Sequence, residues 1–328
     1  MTSVGATPSG AMNRAGVLLL AAAGVVISVI CALGVAEAAL RIAHFSFQAI
    51  PQVQFGWPEP EVIVNEFKSD PDLLWVTPDY QERLSRARAG TDVIFMGDSC
   101  VEFSHYPERV LAALGLRGEK FSVPGWSSEQ GRAQMQRDVS AMHPRVVVVE
   151  FGWNDHWDAL GPPDADTHPS AATIWVADHV RVYQAYRKAV LGWQASRRQM
   201  LPRRVAIERY RDNLQHIVRG ARRIGAQAVL VTAPTDHEVG AEPAYLRARH
   251  LRELTDLVPL HASYVQATRE VALADHATLC DAAAEMDKLG RARRPFFRAD
   301  GIHFMPPGDR FMGDLVSNCI RTALAGAR

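Results

Sequence analysis

Asp92-Val93-Ile94-Phe95-Met96-Gly97-Asp98-Ser99-Cys100 is the stretch on which the reading of this chain turns. Its first five residues are mostly apolar and β-prone, the pattern of a short buried strand. Gly97 then breaks the run, because glycine adopts backbone angles that other residues resist. Asp98-Ser99 falls where the strand ends and a helix begins. A serine there stands on a rigid base with its backbone N–H facing open space, which is how α/β enzymes present a serine nucleophile. The same pair also reads as a helix N-cap, the commoner use of those residues. The rest of the chain decides how much weight the first reading carries.

Downstream, strands alternate with helical patterns. Tyr106 to Leu116 reads as a helix and Phe121-Ser122-Val123 as a short strand ended by Pro124-Gly125. Ser127 to Met142 reads as a helix capped by Ser127 or Ser128, with Glu129 in its first turn. Arg145 to Phe151 is a third strand, closed by Gly152-Trp153-Asn154-Asp155. Residues 157–200 form an insertion, loop-like at first and helical from about 178, expected to shape the substrate pocket. A helix over 204–223, a strand over 226–232, one or two helices within 243–275, a strand at Thr278-Leu279-Cys280 and a helix from Pro306 to Ala325 complete the series. This alternation predicts an α/β fold, a parallel sheet of about five strands with helices on both faces. Ligands of such sheets bind beyond the carboxyl ends of the strands. Ser99, Gly125 and Asn154 each follow a different strand end, so all three should face one crevice.

Upstream, residues 1–14 are small and polar, with Arg14 as their only basic side chain, and read as disordered. Ala15 to Val35 carries no charge, which is long enough for a helix across a bilayer. A cleaved signal peptide is the rival, because Ala36-Glu37-Ala38 fits the small-x-small pattern. Signal h-regions are shorter, roughly 7–15 residues, so an uncleaved anchor over 15–40 is favoured. Such an anchor places the large domain outside the cytoplasm. Residues 41–90 hold Pro51, Pro58, Pro60, Pro71 and Pro78, too many for regular helix. Their apolar residues, Phe55, Trp57 and Leu73 to Trp75, suggest packing on a domain that spans 91–328.

Lys+Arg and Asp+Glu both total 36, so no net field attracts nucleic acid. The sequence has no zinc-type Cys/His spacing and no Gly-rich phosphate loop, so neither metal nor cofactor is expected. Of four cysteines, Cys31 lies in the apolar run. Cys280 and Cys319 are able to pair, but three free thiols, Cys100 included, is the default expectation.

Asp300 and His303 are three apart, a spacing that brings both side chains to one side of a turn. The carboxylate then accepts a hydrogen bond from His303 Nδ1 and leaves Nε2 free as a base. Beside Ser99, that base takes the hydroxyl proton, as serine acyl transfer requires. The backbone N–H groups of Ser99 and Gly125 and the side-chain amide of Asn154 are the candidate oxyanion donors.

Four segments also match a family pattern. Gly97-Asp98-Ser99, Gly125, Gly152-Trp153-Asn154-Asp155 and Asp300-Gly301-Ile302-His303 occur in the order and spacing of the SGNH (GDSL-type) hydrolases, which this domain resembles over roughly residues 90–325. The resemblance implies a flavodoxin-like sheet and an esterase or acyl-transfer site. In it Ser99 is the nucleophile, His303 the base and Asp300 its orienter, and Gly125 and Asn154 join Ser99 in the oxyanion hole. Two positions depart from the pattern. Cys100 stands where the name-giving motif has leucine, and Val123 stands where asparagine often precedes the second-block glycine.

Other residues have plainer readings. His156, Trp157 and Asp158 serve equally as pocket lining or as loop caps. Asp236-His237-Glu238 reads as a solvated loop, since adjacent side chains point apart. Arg203 and Arg204, and Arg291, Arg293 and Arg294, read as solvated surface, and Met305 and Trp193 as core or pocket wall. The leading expectation is a membrane-anchored serine esterase that removes a small acyl group from a carbohydrate or lipid at the cell envelope. The alternatives are an O-acyltransferase with the same catalytic set, acting on an extracytoplasmic polysaccharide, and a non-catalytic envelope assembly subunit.

Overall fold

A computed structural model describes residues 14–47, 67–159, 161–197, 201–244, 246, 251 and 253–326. Of residues 1–14, expected to be disordered, 1–13 lie outside the described residues and Arg14 opens the first helix; the packing of Phe55 and Trp57 also lies outside them. In chain order the elements are α1 (Arg14–Ile42), β1 (Lys68–Asp70), β2 (Leu74–Val76), α2 (Tyr80–Arg88), β3 (Val93–Gly97), α3 (Ser99–Glu102), α4 (Tyr106–Leu114) and β4 (Gly118–Ser122). There follow α5 (Ser128–Arg137), β5 (Val146–Glu150), α6 (Ala171–His179), α7 (Arg181–Arg197), α8 (Ile207–Arg223) and β6 (Gln227–Val231). The series ends with α9 (Leu257–Ala274), β7 (Thr278–Cys280), α10 (Ala282–Asp287) and α11 (Pro306–Ala325).

β3 to β7 form one five-stranded sheet in the order β4-β3-β5-β6-β7, and every neighbouring pair is parallel. This is the flavodoxin-like order, with its switch point between β3 and β5. Strand side chains alternate between two cores, as the two-residue period demands. Ile94, Met96, Val147, Val149 and Leu230 pack with residues of α2, α5, α8 and α9 on one face. Val93, Phe95, Val146, Val148 and Val229 pack with α4, α10 and α11 on the other. β5 reads as a run of valines because both its faces are covered. The edge strand β4 starts earlier than its apolar residues indicate, since Gly118 to Lys120 pair with β3 while remaining half-exposed.

The proline-rich connecting region contains more regular structure than expected. β1 and β2 form an antiparallel hairpin, and α2 follows directly after Pro78. Pro71 and Pro78 stand at element boundaries, where a missing N–H costs nothing. Trp75 Nε1 donates to the Pro124 carbonyl at 3.0 Å, and Trp126 Nε1 donates back to the Trp75 carbonyl at 2.8 Å. The hairpin therefore clasps the loop that carries Gly125.

Two expectations about side chains are corrected. Cys280, at the end of β7, and Cys319, in α11, form a disulfide, so of these three thiols only Cys100 is free, and it is buried. The strand end and the last helix adjoin only in three dimensions. Arg204 is not solvated: it is buried and holds Asp164 through two hydrogen bonds at 2.7 and 3.1 Å, while Arg203 pairs with Asp158. These pairs close the base of the insertion. Its helices α6 and α7 lie against each other, with α6 touching β1 and α7 touching α1. α1 is long and apolar enough to cross a membrane, and its apolar window has no residue buried in the protein.

Candidate active site

β3, β4 and β5 end at one level, with Gly97 paired to Ser122 on one side and Glu150 on the other. Ser99, Gly125 and Asn154 follow those ends within a few residues. Gly97 does not adopt a positive φ, contrary to the expected reason for a glycine there. Space is the reason: a Cβ would sit 2.8 Å from the Glu150 carbonyl oxygen. Gly125, by contrast, has φ +82°, a conformation in which any other residue is strained.

Asp98 is the N-cap of α3. Its Oδ1 accepts from the Cys100 N–H at 2.9 Å and its Oδ2 from Asn154 Nδ2 at 2.9 Å. The cap reading holds, and the capping carboxylate also orients Asn154. Burial pushes the Asp98 carboxyl upward, and its hydrogen bonds and nearby His303 pull it partly back.

Ser99 opens α3, and its Oγ lies 2.8 Å from His303 Nε2 although 204 positions separate the two. His303 Nδ1 lies 2.6 Å from Asp300 Oδ2. Asp300 is an acceptor, so Nδ1 carries the proton and Nε2 accepts from the serine hydroxyl. Asp300 Oδ1 accepts from the backbone N–H groups of Ile302 and His303 at 2.9 and 3.0 Å, which fixes the turn. Burial alone would raise the Asp300 carboxyl. The bonds from His303 and the turn outweigh it and hold the group below its ordinary value. His303 is buried and packs against the Phe103 ring at 5.5 Å.

One residue of this site was hidden in the sequence. His237, expected in a solvated loop, is buried beneath the Asp300-Gly301 turn. Its Nε2 donates to the Asp300 carbonyl at 2.8 Å, and its Nδ1 accepts from the Thr235 hydroxyl at 3.0 Å. The contact spans 63 positions, and the tripeptide Asp236-His237-Glu238 gives no sign of it. Arg293, also expected at the surface, has a mostly buried side chain between Asp236 and Asp287.

Beside Asn154, Asp155 accepts from Ser128 Oγ at 2.5 Å and Ser128 N at 2.9 Å, joining the end of β5 to the start of α5. Burial raises its carboxyl to about 7. His156, for which lining and capping were equal readings, is fully buried. Its Nε2 contacts His261 Nδ1 at 3.2 Å, and His261 Nε2 donates to the Ala233 carbonyl. Burial lowers His261 to about 4 and His156 well below its ordinary value, so both rings are neutral. Trp153 stacks on His261 with ring centroids 3.9 Å apart. Trp153 and His156 of this cluster flank Asn154-Asp155 in the chain. Among the described residues, no group of three or more His, Cys, Asp or Glu side chains is arranged to hold a metal ion.

The sequence model of the GDSL-like lipase/acylhydrolase family matches residues 95–311. No curated protein matches the chain. Solved structures similar to it include a lipase/acylhydrolase from Enterococcus faecalis, with 18% identity and TM-score 0.47, covering 71% of this chain and 96% of that one. A GDSL-like lipase from Bacteroides thetaiotaomicron has 17% identity and TM-score 0.46, covering 76% and 98%. An acetylxylan esterase from Geobacillus stearothermophilus has 15% identity and TM-score 0.44, covering 70% and 94%.

Proposed function

The chain belongs to the GDSL-like lipase/acylhydrolase family and is a hydrolase of ester bonds, and we propose that it works through Ser99, His303 and Asp300 on a small acyl ester of a carbohydrate or lipid at the cell envelope. The observation that carries this reading is the continuous hydrogen-bonded line from Ser99 Oγ through His303 to Asp300, at 2.8 and 2.6 Å.

Ser99 Oγ attacks the acyl carbonyl carbon while His303 Nε2 takes the hydroxyl proton. Asp300 stays ionised and stabilises the imidazolium. The carbonyl oxygen becomes an oxyanion held by the Ser99 and Gly125 N–H groups and by Asn154 Nδ2, whose other hydrogen bonds Asp98. The tetrahedral intermediate collapses, the C–O bond to the alcohol breaks, and His303 returns its proton to the departing oxygen. Water then attacks the acyl-serine with His303 again as base, releasing the acid and restoring Ser99.

α1 is read as an uncleaved anchor that leaves residues 91–328 outside the cytoplasm. The Cys280–Cys319 disulfide favours an oxidising compartment and supports that side.

The test is hydrolysis of p-nitrophenyl acetate and longer p-nitrophenyl esters by the full chain and by Ser99→Ala. The reading expects turnover of short esters that is lost in S99A. Turnover that survives the substitution refutes it.

A further inference from the structure

The junction of α1 with the insertion carries a second constellation that ester hydrolysis does not use. Glu37 and Arg41 stand on the last turns of α1. Glu37 accepts from the backbone N–H groups of Arg181 and Val182, the first residues of α7, at 3.1 and 2.9 Å. Arg41 bonds Glu37 and also donates to the His179 carbonyl at 2.7 Å. The insertion is thereby fixed to the carboxyl end of α1.

Beside these bonds lies an open cleft of about 240 Å³ lined by Arg41, His44, Phe45 and Arg181. Lys188 stands over the Phe45 ring at 5.7 Å. It adds a third cation, beyond that ring, to the two guanidiniums of the lining, which among the described residues holds no carboxylate. The nearest one, Glu37, is engaged by two backbone N–H groups and by Arg41. The sequence continues the bias: Arg181, Arg187, Lys188, Arg197 and Arg198 follow Asp178 with no acidic residue among them. Arg181 Nη1 bonds Gln184 Oε1 at 2.8 Å and Ser46 Oγ at 3.3 Å, which holds the guanidinium at the cleft. Its other nitrogens, with Arg41 and the His44 imidazole, form a donor set suited to a phosphate.

The level of the cleft identifies the source of that phosphate. From Ala15 to Ala36 α1 has no charged residue. At ~1.5 Å per residue this stretch matches a hydrocarbon core of ~30 Å. Glu37, Arg41 and the cleft then stand at the headgroup level. Trp175, 58% exposed and stacked on His179, stands beside them, where indole rings favour the membrane–water interface.

We infer that the cleft between α1 and α7 binds the phosphate of an anionic phospholipid in the bilayer that α1 crosses. The inference rests on the anchor reading above. The bound headgroup would seat the domain against the bilayer through the insertion. The insertion leaves the domain just beyond Asn154 and returns at Arg203, so the contact holds the active-site end of the sheet near the membrane.

The experiment uses the full chain purified in detergent, with phosphatidylglycerol and phosphatidylcholine supplied together and bound lipid counted by native mass spectrometry. The expected result is preferential retention of phosphatidylglycerol, reduced about fivefold in Arg181→Gln and restored in Arg181→Lys, with no change in Tm. Equal retention of the two lipids, or a preference that survives R181Q, overturns the inference. Displacement of the lipid by excess inorganic phosphate overturns the lipid source in favour of a soluble phosphate. Alkaline carbonate washing of membranes separates the two readings. A chain released by the wash refutes the anchor and this inference with it, whereas a retained chain without lipid preference refutes this inference alone.

Discussion

Asp300→Asn isolates the contribution of one proton's position. In the wild type, Asp300 Oδ2 accepts from His303 Nδ1 at 2.6 Å, and Oδ1 accepts from two backbone N–H groups at 2.9 and 3.0 Å. Asparagine keeps its carbonyl on those backbone donors, since they fix which end of the amide faces them. Its NH2 group then faces His303 Nδ1, where two donors cannot meet. The ring responds by moving its proton to Nε2, which now donates to Ser99 Oγ and cannot remove the hydroxyl proton. Shape, volume and backbone turn are unchanged, so the loss is electronic and tautomeric. A wrong tautomer behind a serine costs on the order of 10,000-fold in kcat, or ~5 kcal/mol of barrier. The assay is kcat and KM on p-nitrophenyl acetate across pH, with thermal melting as the control for folding. The reasoning expects kcat to fall by about that factor while KM moves little. A folded D300N enzyme within tenfold of wild type would refute the role given to Asp300.

Three further outcomes follow from the same geometry. Asn154→Ala removes one proposed oxyanion donor and the Asp98 Oδ2 partner, so kcat on short esters should fall on the order of 100- to 1000-fold; a fall below threefold would remove Asn154 from the site. Burial raises Glu150 to about 8, above the ~4.3 of an unfolded chain. Between those values the folded protein keeps a proton that the unfolded chain has lost, so stability falls as pH rises, by up to ~1.4 kcal/mol per pH unit. Glu150→Gln removes that slope, and urea unfolding from about pH 5 to 8 should show the variant gaining on wild type; a constant difference contradicts it. The disulfide closes a segment of 39 residues, for which chain entropy gives ~4 kcal/mol. Reduction should lower the urea midpoint accordingly, and an unchanged midpoint under dithiothreitol would show that the bond does not form.

Much of the sheet and the site was legible because the relevant signals are local. β7 and α11 coincide with the expected Thr278–Cys280 and Pro306–Ala325. A proline at the helix start and an apolar stripe leave little choice there. The meeting of Ser99, Asp300 and His303 was legible because each lies in a short motif with its own chemistry. What was missed depends on distant partners. His237 is buried by the carbonyl of Asp300, Arg204 by Asp164 across the base of the insertion, and Cys280 by a helix that begins 26 positions later. The β1–β2 hairpin was missed for a different reason. Five prolines argue against regular helix across the region, whereas Pro71 and Pro78 mark where elements turn and start.

The most direct test of the account is to treat the full chain with a fluorophosphonate and to map the adduct by peptide mass spectrometry. The account predicts a single adduct on Ser99, lost in S99A and strongly slowed in His303→Ala. An adduct on any other residue, or ester turnover that continues while Ser99 remains unmodified, would contradict it.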